Sequence, residues 1–337
     1  MKIGFFEIEK WEVEYIKNKL RNHKLLFFED ELNQKNVSKV KDCDIVCVFI
    51  YSLINTDLLN KFKNLKAIMT MSTGYDHIDI SECNKRKIAV YNVPFYGENT
   101  VAEHTFALIL ALSRKIVDSV NRTKGDDFSL KGLRGFDLKN KTIGIMGAGH
   151  IGQHVIRMAN GFEMNILVNS MHKDKKLAEK LKFKYTTLEN LLSNSDIISL
   201  HCPLNDSTKK LINMRNVKLI KNGAYLINTA RGGLIDTKAL IYALDKKILA
   251  GAGLDVLEGE CDIKEEKQLL HKRFVEQCNW KTLLQNHMLL KNKNVIVTPH
   301  NAFNSKEALF RIIDTTLNNI NNFNKNKKEN LILSSFV

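Results

Sequence analysis

The chain is poor in the residues that punctuate or staple a fold. Only three prolines occur in 337 residues, at positions 94, 203 and 299, which excludes a proline-rich linker architecture. Each of the three follows an apolar run, where a fixed φ and a missing N–H stop a strand's ladder. The six cysteines (43, 47, 83, 202, 261 and 278) contain no CxxC pair and no framework spacing, which argues against a disulfide scaffold. Reduced thiols in the cytoplasm are the expectation. No apolar run reaches the ~18 residues of a membrane span. The N-terminus carries Glu7, Glu9, Glu12 and Glu14 and lacks a signal-length apolar stretch, so neither a membrane partner nor export is expected. Acidic residues are outnumbered, giving a net charge of +14, but the lysines are spread along the chain without an arginine-rich arm or aromatic–basic motif. That pattern describes solvated lysine-rich faces that attract small anions, and no nucleic-acid partner is expected. No internal repeat of 20 to 50 residues is visible.

What is present centres on residues 141 to 170, KTIGIMGAGHIGQHVIRMANGFEMNILVNS. An apolar run with Ile143, Ile145 and Met146 leads into Gly147-Ala-Gly149-His150-Ile151-Gly152, then a helical segment, then Ile166-Leu-Val168. A glycine triplet between a strand and a helix, within about 30 residues of a βαβ unit, is the context that gives GxGxxG its meaning. Gly147 would permit the tight turn, Gly149 the approach of a pyrophosphate, and Gly152 close packing of helix on strand. The pyrophosphate would rest on the N–H groups at the helix start. Such folds place Asp or Glu about 20 residues further on, to take the ribose hydroxyls. Here Ser170 stands in that place, with His172, Lys173 and Lys175 close behind. The cofactor expected is NAD, with NADP accepted.

Strand-like and helical stretches alternate along the whole chain, which implies parallel sheets. Before the central unit, strands are expected at 2–6, 44–51, 65–71 and 88–91, with a helix at 11–21. Thr100-Val-Ala-Glu103 reads as a capping box opening a helix of about 17 residues. After it, strands are expected at 196–200, 224–228, 251–254 and 294–297. Residues 261 to 293 interrupt the rhythm and read as a solvated excursion, with His271 and His287 at the surface. Each later strand hands off to a polar group: His201-Cys202-Pro203, Thr229-Ala230-Arg231, Asp255 to Glu260, and Thr298-Pro299-His300. Carboxyl ends of strands are where open parallel sheets bind ligands. A reductase of 2-keto acids needs a proton donor near neutrality, a carboxylate to orient it and a guanidinium fork for the substrate carboxylate. Arg231, Glu260 and His300 supply these at three successive strand ends.

The chain closely resembles the D-isomer-specific 2-hydroxyacid dehydrogenases, and among them the D-lactate dehydrogenase branch. The resemblance spans almost the whole chain. It rests on Ser72-Thr73-Gly74-Tyr75-Asp76-His77-Ile78-Asp79, Asn92-Val-Pro94-Phe-Tyr96 with Val101-Ala-Glu-His104, the glycine triplet, His201-Cys-Pro203, Asn228-Thr-Ala-Arg231-Gly-Gly233, Asp255-Val-Leu-Glu-Gly-Glu260 and Thr298-Pro-His300-Asn-Ala-Phe303. It implies an α/β fold of two Rossmann-like or flavodoxin-like doubly wound parallel-sheet domains separated by an active-site cleft. Residues 1–98 and 301–337 would form the substrate domain and residues 99–300 the dinucleotide domain, inserted between them, with hinge closure excluding water. Arg231 would bind the substrate carboxylate and polarise its carbonyl, His300 would donate the proton, and Glu260 would hydrogen-bond and orient His300. Thr73 and Gly74 would hold the carboxylate through backbone amides, while Tyr96 and Phe303 would line a small pocket. The cofactor would meet Gly147, Gly149, His150, Ile151, Gly152 and Ser170. It would also meet Cys202, Pro203, Thr208, Thr229, Ala230, Arg231 and Asp255. No metal is assigned. The expected reaction is reduction of a small 2-keto acid, pyruvate to D-lactate. Another 2-keto acid, or a non-catalytic NAD-sensing protein of the same fold, are the alternatives. The helix after Thr100 would join a homodimer interface.

Overall fold

The computed structural model describes residues 1–259 and 280–332, which divide into two units: Met1–Tyr96 with the segment from Ser305, and Gly97–Asn304. In the first unit, β1 (Lys2–Phe5), β2 (Lys24–Phe27), β3 (Ile45–Val48), β4 (Ala67–Thr70) and β5 (Ala89–Tyr91) form a parallel sheet ordered β2-β1-β3-β4-β5. All positions of β3 and β4 are buried, so they read as unbroken apolar runs rather than alternating ones. Helices α1 (Lys10–Lys19), α2 (Thr56–Leu59) and α3 (Ile80–Lys85) accompany the sheet. The C-terminal helix Lys306–Asn324, capped by Ser305, joins them. Its Asn319 side chain donates to the Asn92 carbonyl at 2.8 Å, fixing it beside the end of β5.

One expected strand is shorter than its apolar run. β3 stops at Val48 because Glu7, in left-handed backbone (φ 59°) just after β1, turns its carboxylate onto the next loop. It accepts the N–H groups of Phe49 and Tyr51 at 2.8 Å each, and the Ser52 hydroxyl at 2.6 Å. Those amides are therefore lost to any ladder.

The second unit carries β6 (Thr142–Met146), β7 (Asn165–Asn169), β8 (Lys184–Tyr185), β9 (Ile197–Leu200), β10 (Ala224–Asn228), β11 (Leu249–Leu254) and β12 (Val295–Val297). They pair in parallel in the order β12-β11-β10-β9-β6-β7-β8. Its helices include α4 (Glu98–Ser113), α5 (Ile116–Thr123), α6 (His150–Gly161), α7 (Lys175–Leu181), α8 (Leu188–Asn194) and α9 (Thr237–Asp245). The winding direction reverses between β6 and β9, so the crevice at their carboxyl ends is the switch point where such sheets take ligands.

Helix α4 begins before Thr100: Gly97 is its N-cap, and Thr100 is buried inside the first turn rather than capping it. Leu108 of α4 packs so close to β11 that a Cβ on Gly253 would stand 3.0 Å from its own Cβ. Within one chain α4 is thus a core helix. The expected solvated excursion is also corrected in part. Helix Trp280–Leu290 buries Leu283, Asn286 and Leu289, and the Asn286 amide donates to the Glu258 carbonyl at 2.9 Å. His287 is exposed, while residues 260–279, with Glu260 and His271, lie outside the described residues. Among the described residues no helix is long and apolar enough to cross a membrane.

Both sheets are pinned at their amino-terminal edge by the same device. In the first unit, the Asp44 N–H donates to the Lys2 carbonyl, its carboxylate accepts the Lys2 N–H at 2.9 Å, and Lys66 Nζ lies 2.8 Å away. In the second, Asp196 does the same with Thr142 (2.8 Å) and Lys221 Nζ (2.8 Å). The Lys66 ammonium and the Lys2 amide hold the Asp44 carboxyl below its usual range. Burial pushes the Asp196 carboxyl up, but Lys221 and the Thr142 amide outweigh it and the net shift is downward.

Candidate active site

The switch point is built from glycine and a buried histidine. Gly147 leaves β6 with φ +101°, and a Cβ there would sit 2.7 Å from the His201 carbonyl oxygen. A Cβ on Gly152 would sit 2.1 Å from the Gly147 carbonyl oxygen, so α6 rests directly on the turn. Around Gly149 nothing lies within 4 Å of the corresponding point. Gly149 is the N-cap of α6 and no side chain caps that helix. Exposed His150 and half-buried Ile151 open the helix. Two tight glycines and one open one, over an uncapped helix start, fit a pyrophosphate. Below the turn His201 pairs Nε2 with the Ser199 hydroxyl at 2.8 Å. Its ring is buried although the residue as a whole keeps some exposure, and burial pulls its pKa down to about 3. It is a neutral ring at physiological pH, and its Nδ1 has no hydrogen-bond partner.

The remaining expected cofactor contacts have defined surroundings. Cys202 is half-buried, which pushes its thiol up to about 11, and Pro203 is exposed. The Thr208 hydroxyl closes its own turn by donating to the Pro203 carbonyl at 2.6 Å. Thr105 donates to Val101, so the Thr229 hydroxyl, 2.8 Å from it, donates to Thr105. Ser170 follows β7 directly and is half-buried, and His172, Lys173 and Lys175 are exposed around Asp174, which caps α7.

Arg231, Asp255 and His300 follow β10, β11 and β12, three neighbours in the sheet. Buried Asn228 shapes the first hand-off, accepting the Ala230 N–H at 3.0 Å and donating to the Arg231 carbonyl at 2.9 Å. Half-buried Arg231 donates to the Ala230 carbonyl, and among the described residues no carboxylate lies within ion-pair distance of its guanidinium. Glu258 is engaged elsewhere, accepting the Thr237 N–H and hydroxyl and standing 3.6 Å from Lys210 Nζ. Asp255 is 1% exposed, and its carboxylate accepts the Asn301 and Ala302 N–H groups at 3.0 and 2.9 Å and the Thr298 hydroxyl at 2.5 Å. Its carbonyl accepts the His300 N–H at 2.9 Å. His300 is thereby held at φ 51°, a left-handed geometry that costs a non-glycine residue about 1–3 kcal/mol and persists only where surroundings over-determine it. Phe303 is half-buried just beyond.

In the first unit, the loop after β4 is pinned from both sides. Ser72 donates to the Gly74 carbonyl and lies 2.6 Å from the Thr70 hydroxyl; Thr70 therefore donates to Ser72, and His77 Nε2, at 3.2 Å, must carry the hydrogen it gives to Thr70. Burial pulls the His77 pKa down to about 4, against the pull of Asp76. The Thr73 hydroxyl donates to Val93 and the Asn92 amide to the Thr73 carbonyl. Among the described residues the N–H groups of Thr73 and Gly74 donate to nothing. Tyr96, half-buried, offers its carbonyl to Arg311 Nε at 2.5 Å.

Residues 106–302 match the family model for D-isomer specific 2-hydroxyacid dehydrogenase, NAD binding domain. The chain belongs to that family. Its relatives place it in the D-lactate dehydrogenase branch. A 2-hydroxyacid dehydrogenase homolog of Zymomonas mobilis is 35% identical over 97% of this chain and 98% of its own length. The D-lactate dehydrogenase of Escherichia coli is 32% identical over 96% and 97%. The crystal structure of the Aquifex aeolicus D-lactate dehydrogenase, complexed with NAD and lactic acid, superposes with a TM-score of 0.85 at 34% identity, covering 99% and 100%.

This 2-hydroxyacid dehydrogenase is therefore an NAD-dependent oxidoreductase with two parallel-sheet α/β units. Sequence reasoning missed the residues that hold the dehydrogenase's site in place. Asn228 and His77 bond within their own strand-end turns, whereas Thr298 and His104 bond across elements far apart in the chain, and no spacing signals those pairings.

Proposed function

We propose that this dehydrogenase reduces pyruvate to D-lactate, with Arg231 and His300 acting on the substrate. The observation that carries the reading is the half-buried Arg231 guanidinium without a carboxylate partner among the described residues, just after β10, with only β11 between that strand and the β12 that precedes His300. A planar fork in that state suits a 2-keto acid's carboxylate, and one of its N–H groups polarises the carbonyl. In the first unit, the undonated amides of Thr73 and Gly74 also suit a carboxylate. The bound nicotinamide supplies the hydride. His300 gives the proton to the carbonyl oxygen as the C–O bond acquires alkoxide character, and Glu260, by family resemblance, orients the imidazole. By family resemblance, Tyr96 and Phe303 restrict the substrate to short side chains. The test is oxidation of NADH on adding pyruvate, glyoxylate or longer 2-keto acids, with chiral analysis of the product. Preference for a longer acid moves the assignment to another member of the class, and no turnover with any of them favours a nucleotide-sensing binding protein.

Neutral Ser170 in place of a ribose-binding carboxylate, followed by exposed His172, Lys173 and Lys175, supports acceptance of NADPH beside NADH. Ser170→Asp should shift the ratio of kcat/KM values toward NADH. Rejection of NADPH by wild type over several orders of magnitude would remove the idea. A cytoplasmic homodimer completes the reading. No residue of α5 is buried, and its Ile116, Val117 and Val120, with Phe128 and Leu130 beyond, expose apolar surface suited to a second copy. Light scattering on the purified protein tests the dimer.

A further inference from the structure

We propose that His104 and Thr298 are positioning residues for the proton donor, a side-chain relay from α4 that holds the backbone of His300 in its left-handed geometry. The proposal rests on the reading of His300 as the donor. Thr298 Oγ1 lies 2.5 Å from Asp255 Oδ1 and 3.0 Å from His104 Nε2, and His104 Nε2 is 3.4 Å from the same carboxylate oxygen. A threonine hydroxyl has one hydrogen to give. Asp255, as a carboxylate, only accepts, and it already receives two backbone N–H groups. The Thr298 hydrogen therefore points at Asp255, its lone pair faces His104, and His104 Nε2 must carry a hydrogen. The relay has one sense: His104 Nε2–H to Thr298 Oγ1–H to Asp255 Oδ1.

Each member comes from a different element, α4, the end of β12 and the end of β11. The carboxylate at its end binds the amides of Asn301 and Ala302 immediately after His300, and the Asp255 carbonyl binds the His300 amide itself. Both flanks of His300 are thus tied to one buried residue. Removing the relay's donor leaves that carboxylate oxygen with one hydrogen bond fewer inside the protein, and frees Thr298 to move with the exposed Pro299 that links it to His300. A displacement of about 1 Å in a proton donor costs on the order of 100-fold in rate, without any change in what binds.

The experiment compares Thr298→Val and His104→Leu, which break the relay, with Thr298→Ser and His104→Gln, which keep a hydroxyl and an N–H at similar reach. Three quantities are read: kcat for keto-acid reduction, the Kd for NADH, and hydrogen–deuterium exchange of the peptide spanning residues 298 to 304. The breaking variants should lose about 10- to 100-fold in kcat while NADH affinity stays within about threefold, and the loop amides should exchange faster. The conservative variants should recover most of both. The double variant Thr298→Val with His104→Leu should be no worse than either alone, because one relay is cut twice. Unchanged kcat and exchange in the breaking variants overturns the proposal, and so does failure of the conservative ones to rescue, or an equal loss in NADH affinity. If Thr298→Val does not fold, His104→Leu, whose side chain is 21% exposed, carries the comparison alone. His300→Gln separates the two readings: retained activity there removes His300 as donor, whereas loss there with intact activity in Thr298→Val removes the relay only.

Discussion

Gly149→Ala should leave the dehydrogenase folded and impair its grip on the cofactor. Gly149 sits at φ −71° and ψ −168°, a conformation alanine adopts without strain, and its added methyl would have no protein atom within 4 Å. Restricting the unfolded chain stabilises by about 0.4–1 kcal/mol. Alanine is a poorer N-cap than glycine by several tenths of a kcal/mol or more, so the two effects offset. The melting temperature of the free protein should therefore move by no more than about 2–4 °C. Cofactor binding has no such compensation. If a pyrophosphate lies over α6, the methyl stands between it and the helix N–H groups, and loss of one charge-assisted hydrogen bond costs about 1.5–3 kcal/mol, or roughly 10- to 100-fold in Kd. Gly152→Ala is the contrast: its Cβ would lie 2.1 Å from the Gly147 carbonyl oxygen, so helix and turn must separate, and both melting temperature and affinity should fall. The assay is isothermal titration with NADH at fixed ionic strength beside thermal unfolding without ligand. NADH affinity within twofold of wild type in Gly149→Ala would refute placing the phosphates there.

Arg231→Lys should lose at least about 100-fold in kcat/KM, roughly 2.7 kcal/mol, because an ammonium presents no bidentate fork; near-normal turnover of pyruvate would remove Arg231 from the chemistry. Glu7→Gln keeps the side chain's shape but weakens acceptance of the Phe49, Tyr51 and Ser52 hydrogens, so faster amide exchange across residues 49 to 52 is expected, and unchanged protection would count against the clamp. His77 and His201 bind protons more weakly folded than unfolded, so unfolding releases sites that protonate below about pH 6.5. Stability should then decline as pH falls from about 6.5 toward 4, and His77→Gln should flatten part of that slope in urea titrations. Asp44 and Asp196 act in a lower window: the stability they add is present above about pH 4 and lost as pH falls through their depressed folded values. Their Asn variants should lack that acid-side loss.

Much of this was legible along the chain because it is local. A strand, a glycine triplet and a helix occupy consecutive residues, and so do each apolar run and its polar hand-off. β10 matches its apolar run from Ala224 to Asn228. What escaped is non-local. The apolar run after Asp44 continues to Tyr51, but a carboxylate 42 residues earlier withdraws the Phe49 amide from the sheet. Thr100-Val-Ala-Glu103 has the spacing of a capping box, yet Gly97 starts the helix earlier and tertiary packing buries the threonine. β2, an edge strand only half-buried, and the two-residue β8 carry too little apolar signal to stand out. The hydroxyl and imidazole partners around Asp255 are 43 and 151 residues from it in sequence.

The matching aspartates at the feet of the two sheets set strand register in the same way in both units. Asp44 bridges β1 to β3 and Asp196 bridges β6 to β9, the same pair of strands if β2-β1-β3-β4-β5 is laid on β7-β6-β9-β10-β11. Even the glycine two residues beyond the bridged amide recurs, Gly4 beside Cys43 and Gly144 beside Ser195. One plan has thus been used twice, with its register set by charge at the amino-terminal edge. The opposite edge is held by different means in the two units, by Glu7 in the first and Asp255 in the second. There the second unit carries a glycine turn and a left-handed histidine, and the first a pair of undonated amides.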